Sequence, residues 1–204
     1  MIVGLDFDNT IVTYEKVFHE VALNQGYITD DVAQSKVAVR DNLRAQGKED
    51  VWTALQGYVY GTCMSKADIF PGVIEALKSI KNDGHITLII SHKTRYPFAG
   101  PKYDLRNAAR TFIDDVLRDG ETPLIPLENI SFLETKDEKL SHIQALGCDV
   151  YLDDLPEILM SENFPNETKK FLFNPENYHK QIDGVTLVSS WNDFVVKLYN
   201  DVEH

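Results

Sequence analysis

The apolar positions of this chain change period along its length. Ile2 to Phe7 is a largely apolar run that ends in acids, the pattern of a strand buried on both faces. From about Thr13 to Lys66 the period turns helical. Val17, Val21 and Leu23 fall on one helix. Val32, Val37, Val39 and Leu43 fall on a second, with Thr29 and Asp30 as its cap candidates. Val51, Leu55, Tyr58 and Val59 fall on a third. Phe70-Pro71-Gly72 then punctuates the chain, and Val73 to Lys81 predicts an amphipathic helix stopped at Asn82-Asp83-Gly84.

Beyond this point short apolar runs alternate with helical segments. Ile86 to Ile90 predicts a second buried strand ending at Ser91, followed by a polar, proline-containing loop. Leu105 to Leu117 predicts a helix, and Ile130 to Leu133 a third strand. Thr135 stands as the N-cap of a helix running through Leu140, Ile143 and Leu146 to Gly147. Val150 to Leu152 predicts a fourth strand ending at Asp153-Asp154, and Pro156 opens another helix. Phe171 to Phe173 and Val185 to Val188 are further short strands, and Asn192 to Tyr199 a closing helix. Repeated strand-then-helix order predicts an α/β fold, a Rossmann-like three-layer core with a mainly parallel sheet. The helical stretch interrupts it between strands one and two, so the expected division is a core of 1–12 and 71–204 with a small all-helical cap of 13–70. Ligands of such sheets bind at the carboxyl ends of the strands, which makes the residues there the ones to inspect.

Composition narrows the picture. The net charge is −12, so the surface repels long nucleic acid and anionic membranes, and any anionic substrate needs a concentrated local positive charge. No apolar run approaches the length of a membrane span, and the N-terminal Met-Ile-Val-Gly-Leu-Asp does not read as a secretory signal. Cys63 and Cys148 read as free thiols of a reducing compartment, which makes the expected location cytoplasmic.

The expected strand ends carry Asp6-Phe7-Asp8-Asn9-Thr10, Ser91, Thr135-Lys136 and Asp153-Asp154. Asp6 and Asp8 share a face by strand alternation. Crowded carboxylates raise one another's proton affinity unless a cation offsets them, and magnesium suits such an oxygen-only set. A phosphoryl group placed there can be attacked by Asp6. Asp8 can pass a proton to the leaving alkoxide and later take one from water. Ser91 can hydrogen-bond a phosphoryl oxygen, and Lys136 can neutralise developing charge. Lys139, one turn further along, is the rival for that role. Ser91 by itself also fits a turn residue, and His92 and Lys93 read as solvated loop positions. Tyr14, Arg40, Arg44, Trp52, Tyr58 and Tyr60 of the helical stretch read as core aromatics and surface arginines before they read as substrate contacts.

The same residues resemble the haloacid dehalogenase superfamily. Asp6-Phe7-Asp8-Asn9-Thr10 is similar to its first motif, Ile86 to Ser91 to its second, Lys136 to its third and Asp153-Asp154 to its fourth, in the expected order. The resemblance implies Asp6 as nucleophile and Asp8 as acid/base, with Thr10, Ser91 and Lys136 on the substrate phosphate. It also implies magnesium held by Asp6, the Asp8 backbone carbonyl, Asp154 and, as a second or outer ligand, Asp153. Members that cleave carbon–halogen or carbon–phosphorus bonds lack the second aspartate, so Asp8 implies phosphate-ester chemistry. Asn9 replaces a frequent glycine and tolerates a left-handed turn. Glu157 is the one acid near the place of a further family aspartate. Asp153-Asp154-Leu155-Pro156 and Ser190-Trp191 resemble deoxyribonucleotidase-like members without naming a substrate. The expectation is a magnesium-dependent phosphatase of a small phosphorylated metabolite. A phosphomutase with the same intermediate and a catalytically idle binding protein of this fold are its rivals.

Overall fold

The computed structural model describes residues 1–200. In chain order the elements are β1 (Ile2–Leu5), β2 (Val12–Thr13), α1 (Glu15–Asn24), α2 (Lys36–Ala45), α3 (Glu49–Tyr60), β3 (Asp68–Ile69), α4 (Val73–Asn82), β4 (Ile86–His92) and α5 (Leu105–Val116). There follow β5 (Arg118–Asp119), β6 (Thr122–Pro123), β7 (Ile130–Leu133), α6 (Lys136–Ala145), β8 (Val150–Asp153), α7 (Pro156–Leu159), β9 (Lys169–Phe173), β10 (Thr186–Val188) and α8 (Trp191–Asn200). Each apolar run singled out above lies in a strand of one six-stranded sheet, ordered β10-β9-β8-β1-β4-β7. Its five strand pairings are all parallel. This is the α/β, Rossmann-like arrangement that the alternation of periods implies.

The register decides what meets at the sheet's edge. Leu5 lies beside Ile89 of β4 and Leu152 of β8. One residue on, the Asp6 N–H donates to the Leu152 carbonyl at 2.8 Å, so Asp6 stands level with the end of β8. On the far side of β4, Ser91 is level with Phe132 of β7. The carboxyl ends of four strands therefore converge where the chain order reverses on either side of β1.

Both faces of the sheet are covered. Leu88 and Ile90 of β4 pack with Leu140 and Ile143 of α6 and Ile158 and Leu159 of α7 in one core cluster. Ile89, on the opposite face by strand alternation, is equally buried. Tyr151 joins that cluster with its ring beside Gly4: a Cβ on Gly4 would meet the ring at 2.6 Å and the Cys148 sulfur at 3.0 Å. The glycine in β1 is thus a site of close approach rather than of unusual backbone. The Tyr151 hydroxyl donates to the Ile90 carbonyl across β1, which ties β8 to β4.

Two of the element boundaries that differ from the sequence expectation have a plain local cause. β1 ends at Leu5 rather than Phe7, because the chain turns at Asn9, which takes the left-handed conformation (φ 60) expected of it. α2 begins at Lys36, not near Val32, because Ser35 accepts from the Ala38 N–H at 3.0 Å and is the N-cap.

Contacts divide the chain into two units: Met1–Ile11, Ile69–Lys93 and Asp114–His204 form one, Val12–Asp68 and Thr94–Ile113 the other. The first holds the six-stranded sheet. The second holds α1, α2 and α3 around a core of Phe18, Val39, Leu43, Trp52 and Leu55. Residues 94–113, assigned above to the α/β core, fall in this helical unit. Their loop packs directly on α3: a Cβ on Gly57 would meet Pro97 at 2.6 Å, and one on Gly61 would meet Tyr103 at 2.5 Å. Among the described residues no helix is long and apolar enough to cross a membrane.

Candidate active site

Asp6 is the hub of the strand-end cluster. It is 5% exposed, and its Oδ1 accepts from the Ser91 hydroxyl at 2.8 Å and the Lys139 ammonium at 2.7 Å. Both bonds fall on one oxygen, which leaves Oδ2 as the atom for chemistry. Burial pushes the Asp6 carboxyl up to about 7; Lys139 pulls against that shift, while Asp153 and Asp8 add to it. Lys139 also donates to Asp153 Oδ2 at 2.6 Å and lies 5.5 Å from the Tyr151 ring centroid. Burial works to lower the Lys139 ammonium, but Asp6, Tyr151 and Asp153 together hold it well above its ordinary range. Asp153 is fully buried and its other oxygen accepts from the Leu155 N–H at 2.9 Å, so both its oxygens are committed.

Asp8 follows the turn out of β1. Its two carboxylate oxygens lie 2.7 and 3.0 Å from the Lys93 ammonium. The Trp191 indole N–H donates to the Thr10 carbonyl at 2.9 Å and anchors the end of the motif. Thr10 itself is fully buried, and among the described residues its hydroxyl oxygen has no hydrogen-bond partner. The structure does not join it to the group around Asp6.

The cluster thus unites Asp6, Ser91, Asp153 and Lys139, with Asp8 and Lys93 beside them. Lys136 is absent from it. Its side chain is 49% exposed and pairs with Glu157. The reason is helix geometry. Side chains lean toward a helix N-terminus, so a lysine one turn inside α6 reaches back over the helix start, whereas one at the first position points past it. Thr135 holds that start in place through a reciprocal capping box with Glu138. Lys93 is the residue that sequence reading missed. β4 runs on to His92, and the Lys93 N–H donates to the Leu133 carbonyl at 2.9 Å, extending the strand. Alternation then puts Lys93 on the side of Ser91, the signal that could have found it.

One carboxylate oxygen each from Asp6, Asp153 and Asp154 lie within 4.8 Å of one another. The set is oxygen-only and anionic, the chemistry of a hard divalent cation rather than of zinc. The residues fit such an ion, which Asp6, Asp153 and Asp154 would hold between them.

The fold has counterparts among solved structures. The chain superposes on a HAD-hydrolase of Bacillus subtilis bound to magnesium with a TM-score of 0.61 at 10% identity, covering 100% of this chain and 98% of that one. It superposes on a HAD family hydrolase of Deinococcus radiodurans with bound phosphate and sodium with a TM-score of 0.60 at 15% identity, covering 98% and 95%. The chain has the fold of the haloacid dehalogenase superfamily. By sequence it is 26% identical over 199 residues, 94% of its length and 96% of the relative's, to a protein of Oceanobacillus iheyensis described as a "putative nucleotidase". No protein-family model matches the chain. Within the haloacid dehalogenase fold, the carboxyl ends of β1, β4 and β8 and the first turns of α6 are where the cluster described above stands.

Proposed function

We propose that this protein is a phosphomonoester hydrolase of the haloacid dehalogenase type, acting on a small phosphorylated metabolite through an aspartyl-phosphate on Asp6. The observation that carries the reading is the buried Asp6 carboxylate, held on one oxygen by Ser91 and Lys139 and open on the other. Held this way, Oδ2 points one reactive oxygen at phosphorus, and the bond it forms displaces the ester oxygen. Asp8 gives that oxygen its proton, and takes one back from the water that cleaves the phosphoenzyme. The Lys139 ammonium, kept charged by Asp6 and Asp153, opposes charge that builds on the phosphoryl oxygens. A magnesium ion on Asp6, Asp154, the Asp8 carbonyl and, further out, Asp153 would neutralise carboxylates and phosphate together.

The relative described as a nucleotidase supports nucleoside monophosphates as the first substrates to try, with sugar phosphates next. A net charge of −12 supports a small substrate over long nucleic acid. The buried free thiols Cys63 and Cys148 support a reducing compartment such as the cytoplasm. The test is inorganic phosphate release from a panel of phosphomonoesters, with magnesium and with EDTA, using Asp6→Asn as the blank. Magnesium-dependent release that vanishes in Asp6→Asn is the expected result. Equal release by Asp6→Asn would overturn the nucleophile, and conversion without free phosphate would point to a mutase.

A further inference from the structure

We propose that the loop between β4 and α5 recognises the base of a nucleotide, with Phe98 as the surface on which the base stacks. The proposal rests on the reading of nucleoside monophosphates as substrates. Three observations within the helical unit carry it. First, Phe98 is 91% exposed, more than any other large apolar side chain among the described residues. Second, the backbone that presents it is held in place. A Cβ on Gly57 would meet Pro97 at 2.6 Å and the Ala99 carbonyl at 3.2 Å, so the loop lies directly against α3. The Tyr103 N–H donates to the Pro101 carbonyl at 2.9 Å, and the Leu105 N–H closes the loop on the Arg95 carbonyl at 2.9 Å. Third, residues 94–113 carry Arg95, Lys102, Arg106 and Arg110 against one acid, Asp104, in a chain of net charge −12.

A single exposed ring is ordinary. This one stands on a fixed backbone among cations, and the combination selects a ligand. The Arg95 guanidinium lies 5.3 Å and the Lys102 ammonium 5.9 Å from the Tyr96 ring centroid, and Arg95 also pairs with Asp104 at 3.1 Å. Lys102 is thus met by a ring rather than by a carboxylate, and its charge is not cancelled. A nucleoside monophosphate offers what both features take: a flat π-face for Phe98, and negative charge that the cations draw in from a distance. A platform already held in place loses little entropy when a base settles on it. Every base has such a face, so Phe98 supplies affinity for nucleotides as a class. Long nucleic acid offers the same groups, but the charge of the rest of the chain repels it.

The experiment is isothermal titration of nucleoside 5′-monophosphates carrying each common base, and of ribose 5-phosphate, into protein carrying Asp6→Asn so that turnover does not consume the ligand. Phe98→Ala, added to that background, is expected to weaken the nucleotides by about tenfold and ribose 5-phosphate by less than about twofold. Phe98→Trp keeps a stacking face and is expected to preserve nucleotide affinity. Lys102→Glu is expected to weaken nucleotides and ribose 5-phosphate alike at low salt, with the loss fading at high salt. Unchanged nucleotide affinity in Phe98→Ala, or an equal loss for ribose 5-phosphate, would overturn the assignment. So would sedimentation showing a dimer that Phe98→Ala splits while nucleotide affinity stays intact, which would make the loop a contact between copies. Phosphate release from sugar phosphates by the wild-type protein, with no nucleotide binding, would overturn this inference and leave the hydrolase reading standing. Nucleotide binding that depends on Phe98, with no phosphate release from any ester, would overturn the hydrolase reading alone.

Discussion

At the start of α6 two lysines three residues apart meet opposite surroundings. Lys139 is 1% exposed between two carboxylates, while Lys136 faces solvent with Glu157. Lys139→Met is therefore expected to abolish phosphate release, and Lys136→Met to leave it within about twofold, since an exposed pair is worth little. Circular dichroism separates lost chemistry from lost fold, because removing Lys139 leaves buried charge unmet. Most of the site was legible at this scale. Asp6, Ser91 and Asp153 announce themselves by closing apolar runs. Which lysine of α6 serves them was not legible, because it depends on the direction a side chain leans, not on its spacing. Lys93 was hidden for a related reason: the apolar run stops at Ile90, but the strand continues in polar residues.

Elements here are set by a few local devices. Thr135 and Glu138 cap α6 reciprocally, and α6 carries Lys139. Thr135→Ala is expected to cost about 1 kcal/mol in urea unfolding. Gly4→Ala would force the Tyr151 ring or the strand to shift, at an expected cost of about 1–3 kcal/mol by the same measurement. The six sheet strands could be read from the sequence because a strand buried on both faces is a continuous apolar run. The start of α2 could not, because the capping Ser35 competes with several earlier polar residues for the same role. Nor did the loop after β4 signal its partner, since its contact with Gly57 and Gly61 depends on what those glycines lack.

For the whole molecule the governing quantity is charge. Asp6 sits near 7, above the 3.8 of an unfolded aspartate, so the folded state holds an extra proton between those values. Its contribution to stability is full below 3.8 and is lost as pH rises through about 7. A bound cation competes with that proton. Magnesium is thus expected to raise the melting temperature more at pH 8 than at pH 6, with EDTA reversing the gain and Asp6→Asn flattening the difference. The thiols give an independent check of packing. Burial pushes Cys148 up to about 11, with Asp149 adding to the shift, and Cys63 is 4% exposed. Neither is expected to react with Ellman's reagent until denaturant opens the fold.

The central place of β1 also governs how this protein is born. This strand is synthesised before both of its partners, whose ladders begin at Ile86 and Val150. At about 5–20 residues per second, translation keeps the second partner away for on the order of ten seconds. During that wait an apolar strand has no neighbour on at least one edge, the arrangement that invites pairing with another nascent chain. Yield of soluble protein should therefore depend on chaperone supply during synthesis far more than on the stability of the finished fold.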